Sequence, residues 1–202
     1  MFIVLILKAY KIMNLKELIF KTRSYRRFDE SYRIDAKTLE SLIDLARLSA
    51  SGANKQPLKY LYCLTEKDRE KIFPYIAWAG YLKDWQGPDK GERPSAYIII
   101  IGDKSVSDIF GVDHGIAAQS IMLGATEAGL GGCIIGSIKR EELHDELSFP
   151  DHFEILLILA LGKPVEKVIV EDLKDGNVKY WRDEDLNHHV PKRSLKDLII
   201  KL

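Results

Sequence analysis

Apolar residues recur along this chain in two rhythms. Between residues 35 and 50, Leu39, Leu42, Ile43 and Ala46 follow helical spacing, with Asp35 placed to cap the first turn. Leu15, Leu18 and Ile19 mark a weaker helix over 14–21. Thr65 with Asp68 has the form of a capping pair opening a short helix. "KREELHDEL" (139–147) and the terminal "VPKRSLKDLIIKL" read as two more.

The second rhythm belongs to strands. "SAYIIIIG" (95–102) and "FEILLILALG" (153–162) are apolar on both faces, so they predict strands of a sheet covered on both sides. "KYLYCL" (59–64) and "GGCIIGS" (131–137) add two strands, and 167–181 reads as a hairpin turning at Asp175-Gly176. Residues 113–129 predict a helix capped by Asp113 and ended by Gly129. It is small or apolar nearly all round, which suits a core or a subunit interface. Helices alternate with buried strands, the pattern of an α/β or α+β fold with helices on both sides of one sheet.

No repeat or linker divides the chain, so 13–202 is expected to be a single domain. Residues 1–12 are read as a non-native or disordered extension and Met13 as the initiator. The apolar run there ends at Leu7, short of the roughly 18 residues that cross a bilayer. Lys plus Arg equals Asp plus Glu at 30 each, so no global field draws nucleic acid or an anionic membrane. Cys63 and Cys133 stand far apart, and the expectation is two buried thiols in a reducing cytosol.

Candidate chemistry concentrates in three stretches. In "KTRSYRRFDE" (21–30), Arg23, Arg26 and Arg27 surround Ser24. Guanidinium forks and a hydroxyl suit phosphate oxygens, although a solvated basic patch has the same composition. In "SASGANKQPL" (49–58), Asn54 and Gln56 each offer a donor and an acceptor, and in an extended segment they point to one side. They suit either a heterocycle edge or the loop's own backbone. "GLGGCIIGS" (129–137) is no Rossmann fingerprint: Ile134 takes the third glycine's place, and the glycines enter a strand rather than leave one. Gly131, Gly132 and Gly136 are read instead as allowing a flat ligand close to the backbone. His188-His189 lies near Asp183, Glu184 and Asp185, but adjacent extended residues point apart, so no metal site is expected.

Together these stretches resemble the nitroreductase family of FMN-dependent oxidoreductases. "RSYRRF" is similar to its Arg-Ser-x-Arg-x-Phe motif, "SGANKQP" to Ser-x-x-Asn-x-Gln-Pro, "GLGGCIIGS" to its Gly-Leu-Gly segment and "LALGKP" to Leu-Gly-x-Pro. Thr22 and Leu58 depart from the arginine and tryptophan common in the family. The resemblance implies an α+β, three-layer α/β/α fold with a mostly antiparallel sheet. It also implies a homodimer that exchanges C-terminal tails, with FMN at the interface. By the same resemblance Arg23, Ser24 and Arg26 hold the phosphate and ribityl chain, with Lys192 or Arg193 as a late basic partner. Ser51, Asn54 and Gln56 come from the other subunit, and Gly136 and Ser137 lie near the flavin N5 face. The activity implied is hydride transfer from NADH or NADPH to an electron-poor acceptor, in ping-pong order and in the cytoplasm. The rival readings are a flavin sensor or carrier, and a same-fold enzyme of dehalogenation or flavin breakdown. The loop 75–94, with Tyr75, Trp78, Tyr81 and Trp85, is the candidate lid.

Overall fold

The computed structural model describes residues 13–201, and the expectation for 1–12 lies outside them. Asn14 accepts from the Glu17 N–H while the Glu17 carboxylate accepts from the Asn14 N–H, a capping box that starts α1 (Leu15–Lys21). After β1 (Phe28–Asp29), Asp35 accepts from the Thr38 N–H at 2.7 Å and opens α2 (Ala36–Arg47), whose buried face is Leu39, Leu42 and Ala46. Then come β2 (Leu58–Cys63), α3 (Glu66–Ile72, capped by Thr65), β3 (Ala96–Asp103), α4 (Asp113–Glu127), β4 (Gly131–Ile135), α5 (Arg140–Glu146) and β5 (Phe153–Pro164).

β5 is the hub of the main sheet. It pairs with β3 along one edge and with β4 along the other, β2 flanks β3, and β1 takes the end of β5 at Phe28 opposite Pro164. Every one of these pairings is antiparallel. All of β3 is buried, and its alternate side chains feed two core layers. Ile98 and Ile100 pack with Leu39, Leu42 and Ile121 of α2 and α4, while Ile99 and Ile101 pack with Ile72 and Leu143 of α3 and α5. The result is the expected three-layer α+β sandwich. A Cβ at Gly124 would stand 2.3 Å from Leu45 Cδ1, so the small residues of α4 let α2 cross it closely.

The tail departs from expectation in one respect. It contains β6 (Val168–Asp172), β7 (Trp181–Arg182), β8 (His188–Lys192) and α6 (Leu195–Leu198). Asp175 and Gly176 do turn, with φ of 50° and 70°. The segments they join do not form the expected hairpin, because β8 lies between them, parallel to β6 and antiparallel to β7. Up to Lys192 the tail also stays on its own chain: Val165 N–H donates to Arg27 O, and Tyr180 packs on Arg26. Beyond Lys192, Leu195, Leu198 and Ile200 are exposed.

Candidate functional site

The arginine motif is laid along β4 by its backbone. Tyr25 N–H donates to Gly132 O at 2.9 Å, and Ser24 bridges Gly132. Gly132 is required by the sheet itself, since a Cβ there would lie 2.4 Å from Ala160 O. One at Gly131 would meet Pro164 and Tyr25. Both glycines therefore serve packing within the protein rather than the approach of a flat ligand. Gly136 differs, with nothing nearer its Cβ position than Leu157 at 3.8 Å.

This placement opens a cleft of about 300 Å³, lined by Arg23, Ser24, Arg26 and Lys192 together with Gln119, Tyr180 and His188. No carboxylate of the described residues lines it. Arg23 donates to Ile19 O at 2.6 Å, but its Nε is buried without a partner, and burial lowers its pKa from the usual value. Arg26 is buried. Its Nη1 donates to Ser24 O at 3.2 Å and lies 3.1 Å from His188 Nε2, and its guanidinium sits 4.9 Å from the Tyr180 ring centroid. The Arg26 N–H donates to one oxygen of buried Glu166. The other oxygen pairs with Arg182 at 3.1 Å, and Arg182 lies over Trp85 at 4.1 Å.

At Arg26, Ile134 and Tyr180 this cleft runs into a second, of about 200 Å³, that contains Gly136 and Ser137. Trp78, Ala79 and Gly80 of the candidate lid form its other wall. Tyr180 reaches the candidate lid twice, its ring tilted against that of Tyr81 with centroids 4.9 Å apart and its hydroxyl accepting from the Tyr81 N–H at 3.3 Å.

The amide motif lies elsewhere, in a separate pocket of about 180 Å³ that shares no lining residue with the other two. It is not extended as expected. Gly52–Asn54 form a 3-10 turn, and Ala53, Asn54 and Gln56 have φ of 49°, 54° and 52°. Left-handed non-glycine backbone persists only where its surroundings enforce it. Here the enforcer is Asp113. Its carboxylate accepts from Ser51 Oγ at 2.6 Å and from Gly52 N–H at 2.9 Å, and Ser51 Oγ accepts from Gln56 N–H at 2.9 Å. Asp113 is thus not the helix cap, a position that falls to Val112. Tyr60 in the same pocket has its pKa pushed up to about 12 by burial and by the Asp113 charge.

The structure therefore brings Arg23, Ser24, Arg26 and Lys192 into one cleft, and Gly136 and Ser137 into another that adjoins it at Arg26, Ile134 and Tyr180. It leaves Ser51, Asn54 and Gln56 on another surface, with both amides exposed. Arg193 is exposed and lines none of the three pockets. Sequence reasoning missed Gln119, Glu166, Tyr180 and His188. The His188-His189 doublet was the one available signal, and the two imidazoles do point apart. His189 goes between Glu171 and Asp183 at 3.1 Å each, stacked on Trp181 at 4.0 Å, while His188 faces Arg26. Among the described residues no set of His, Cys, Asp and Glu is arranged to hold a metal ion.

The antiparallel three-layer fold carries this cationic cleft, and comparison with known proteins shows the class, NAD(P)H-dependent oxidoreductases, and names the family. The Nitroreductase family profile matches residues 19–163, and the chain belongs to that family. A Methanothermobacter thermautotrophicus protein provisionally named NADH dehydrogenase/NAD(P)H nitroreductase is 26% identical over 170 residues, covering 81% of this chain and 84% of the relative. An FMN reductase (NADPH) of Bacillus subtilis is 27% identical over 168 residues, covering 75% and 66%. A nitroreductase-type crystal structure from Exiguobacterium sibiricum, in complex with FMN, superposes with a TM-score of 0.63 at 18% identity, covering 76% and 89%.

Proposed function

We propose that this chain is an FMN-dependent oxidoreductase that passes hydride from NADH or NADPH to an electron-poor acceptor such as a nitroaromatic or a quinone. One observation carries the reading: Arg23, Arg26 and Lys192 converge on a cleft that no carboxylate of the described residues lines, and that cleft adjoins a slot between β4 and the candidate lid. A phosphorylated arm bearing a flat ring fits both parts. The partnerless Arg23 Nε supports the fit, since an anionic oxygen would satisfy it. When bound, FMN supplies the two-electron redox couple. Arg23, Ser24 and Lys192 hold its phosphate, and Arg26 fixes the junction of the two parts. Trp78 and Tyr180 keep water from the slot, and Gly136 and Ser137 line it with main chain. Donor and acceptor use the slot in turn, which gives ping-pong kinetics.

The amide loop serves a second copy of the chain, whose cofactor Asn54 and Gln56 meet while Ser51 shapes the turn. Exposed Leu15, Ile19, Phe20, Leu48 and Val112 support a homodimer, and α6 supplies the exchanged arm. Both cysteines are free and buried, and burial holds the Cys63 thiol up at about 11, which suits a reducing cytoplasm. The test is an absorption spectrum of the purified protein with its oligomeric state. The expected protein is a yellow dimer bleached by a reduced nicotinamide, and Arg23→Ala binds FMN no better than riboflavin. A colourless monomer that takes up no added FMN overturns the reading.

A further inference from the structure

His188 lines the cationic cleft and is 1% exposed. Its Nε2 lies 3.1 Å from Arg26 Nη1. A guanidinium has donors and no acceptor, so Nε2 must be the acceptor and carry no proton. The ring is then neutral, with its single proton on Nδ1. That nitrogen is buried and has no hydrogen-bond partner among the described residues. Buried donors in folded proteins are nearly always paired, and an unpaired one at a cleft wall asks for an acceptor from outside. The ring cannot escape by charging. Burial first, then the neighbouring Arg26 and Arg182 guanidiniums and His189, push its pKa down to about 4. Around neutral pH it therefore presents one fixed N–H.

We propose that His188 is a cofactor-binding residue: its Nδ1–H donates to a phosphate oxygen of the FMN, while its Nε2 holds Arg26 in place. The proposal rests on the FMN reading of the cleft. Phosphate is the acceptor favoured by the surroundings, because His188 shares its cleft with Arg23, Ser24 and Lys192 and, among the described residues, with no carboxylate. Sitting on β8, His188 also ties the tail to the arginine motif whenever the phosphate is present.

The test compares His188→Gln with His188→Asn in the full chain, stripped of flavin and titrated with FMN and with riboflavin. A glutamine oxygen reaches the Nε2 position and keeps the acceptor for Arg26, but offers nothing at Nδ1. An asparagine amide places an N–H near Nδ1 and loses the acceptor. The expected result is that the glutamine variant loses about 10-fold in FMN affinity, with riboflavin affinity unchanged, and that the asparagine variant loses less. Equal losses for both flavins, an unchanged glutamine variant, or the reverse ranking of the two variants overturns the proposal and leaves His188 as a support for Arg26. A second measurement uses wild-type protein with ¹⁵N-labelled histidine and inorganic phosphate as the probe. The protonated His188 nitrogen should shift on titration, and an unmoved resonance overturns the proposal even if a variant fails to fold. A wild-type chain that binds neither flavin overturns the cofactor reading itself, and the phosphate titration then decides the role of His188 separately.

Discussion

The cationic cleft and the amide loop are built by opposite means. The cleft is organised by buried charge: Arg26 sits among Glu166, His188 and Tyr180, and Glu166 is shared with Arg182. The loop is organised by backbone, three left-handed residues tied down through one carboxylate, Asp113. The first can recognise an anion within a single chain, because guanidiniums must be fixed and partly neutralised before a ligand arrives. The second holds exposed amides in a set shape at the surface.

The largest expected effect comes from breaking the first arrangement. Glu166→Ala strands the buried Arg26 N–H and the Arg182 charge, and urea unfolding should show a loss of about 3–5 kcal/mol. Asp113→Ala releases Ser51 and Gly52, and the same measurement should give about 1.5–3 kcal/mol, the usual worth of bonds to a charged group. Gln56→Ala sharpens the contrast. It should remove about 1–3 kcal/mol of FMN binding in a titration of the flavin-free protein while leaving folding stability unchanged. Ala53→Gly should raise stability by up to about 1 kcal/mol, since φ of 49° is unfavourable for any residue with a Cβ.

The smallest effect is on pH dependence, through His189 beside the cleft. Burial opposes its charge, but bonds to Asp183 and Glu171 outweigh this and raise its pKa above 6.5. Its contribution is thus fully present below pH 6.5 and fades as pH rises through the raised value. The Asn187 and His189 hydrogen bonds lower Asp183 to about 2, so its part persists above the ordinary carboxylate range and is lost only in strong acid. His188 has the opposite sign, since its depressed value costs stability as pH falls from 6.5 toward about 4. The difference in thermal midpoint between wild type and His189→Ala should therefore be larger at pH 6 than at pH 9.

Much of this was legible in the chain. Leu39, Leu42 and Ala46 marked α2, and unbroken apolar runs marked β3 and β5, because burial imposes a period on sequence. The arginine motif stood out by residue type and Lys192 through the family resemblance, and both line the cleft. What escaped depends on tertiary competition. Asp175-Gly176 signalled a local hairpin, but β8 offered both neighbours a better partner from further along the chain. Asp113 had the form of a cap, yet its carboxylate went to Ser51 and Gly52. The left-handed turn at Ala53 carries no signature in its residue type, and the placing of His188 against Arg26 joins positions 162 residues apart.

Tyr180 touches both Arg26 and Tyr81, so the tail spans from the arginine motif to the 75–94 loop. A chain shortened before that residue would also lose Arg182, His188 and Lys192, so it should leave buried Glu166 without its ion-pair partner and take up FMN poorly. The final strands thus join the arginine motif to the 75–94 loop from outside the layers that give the protein its shape.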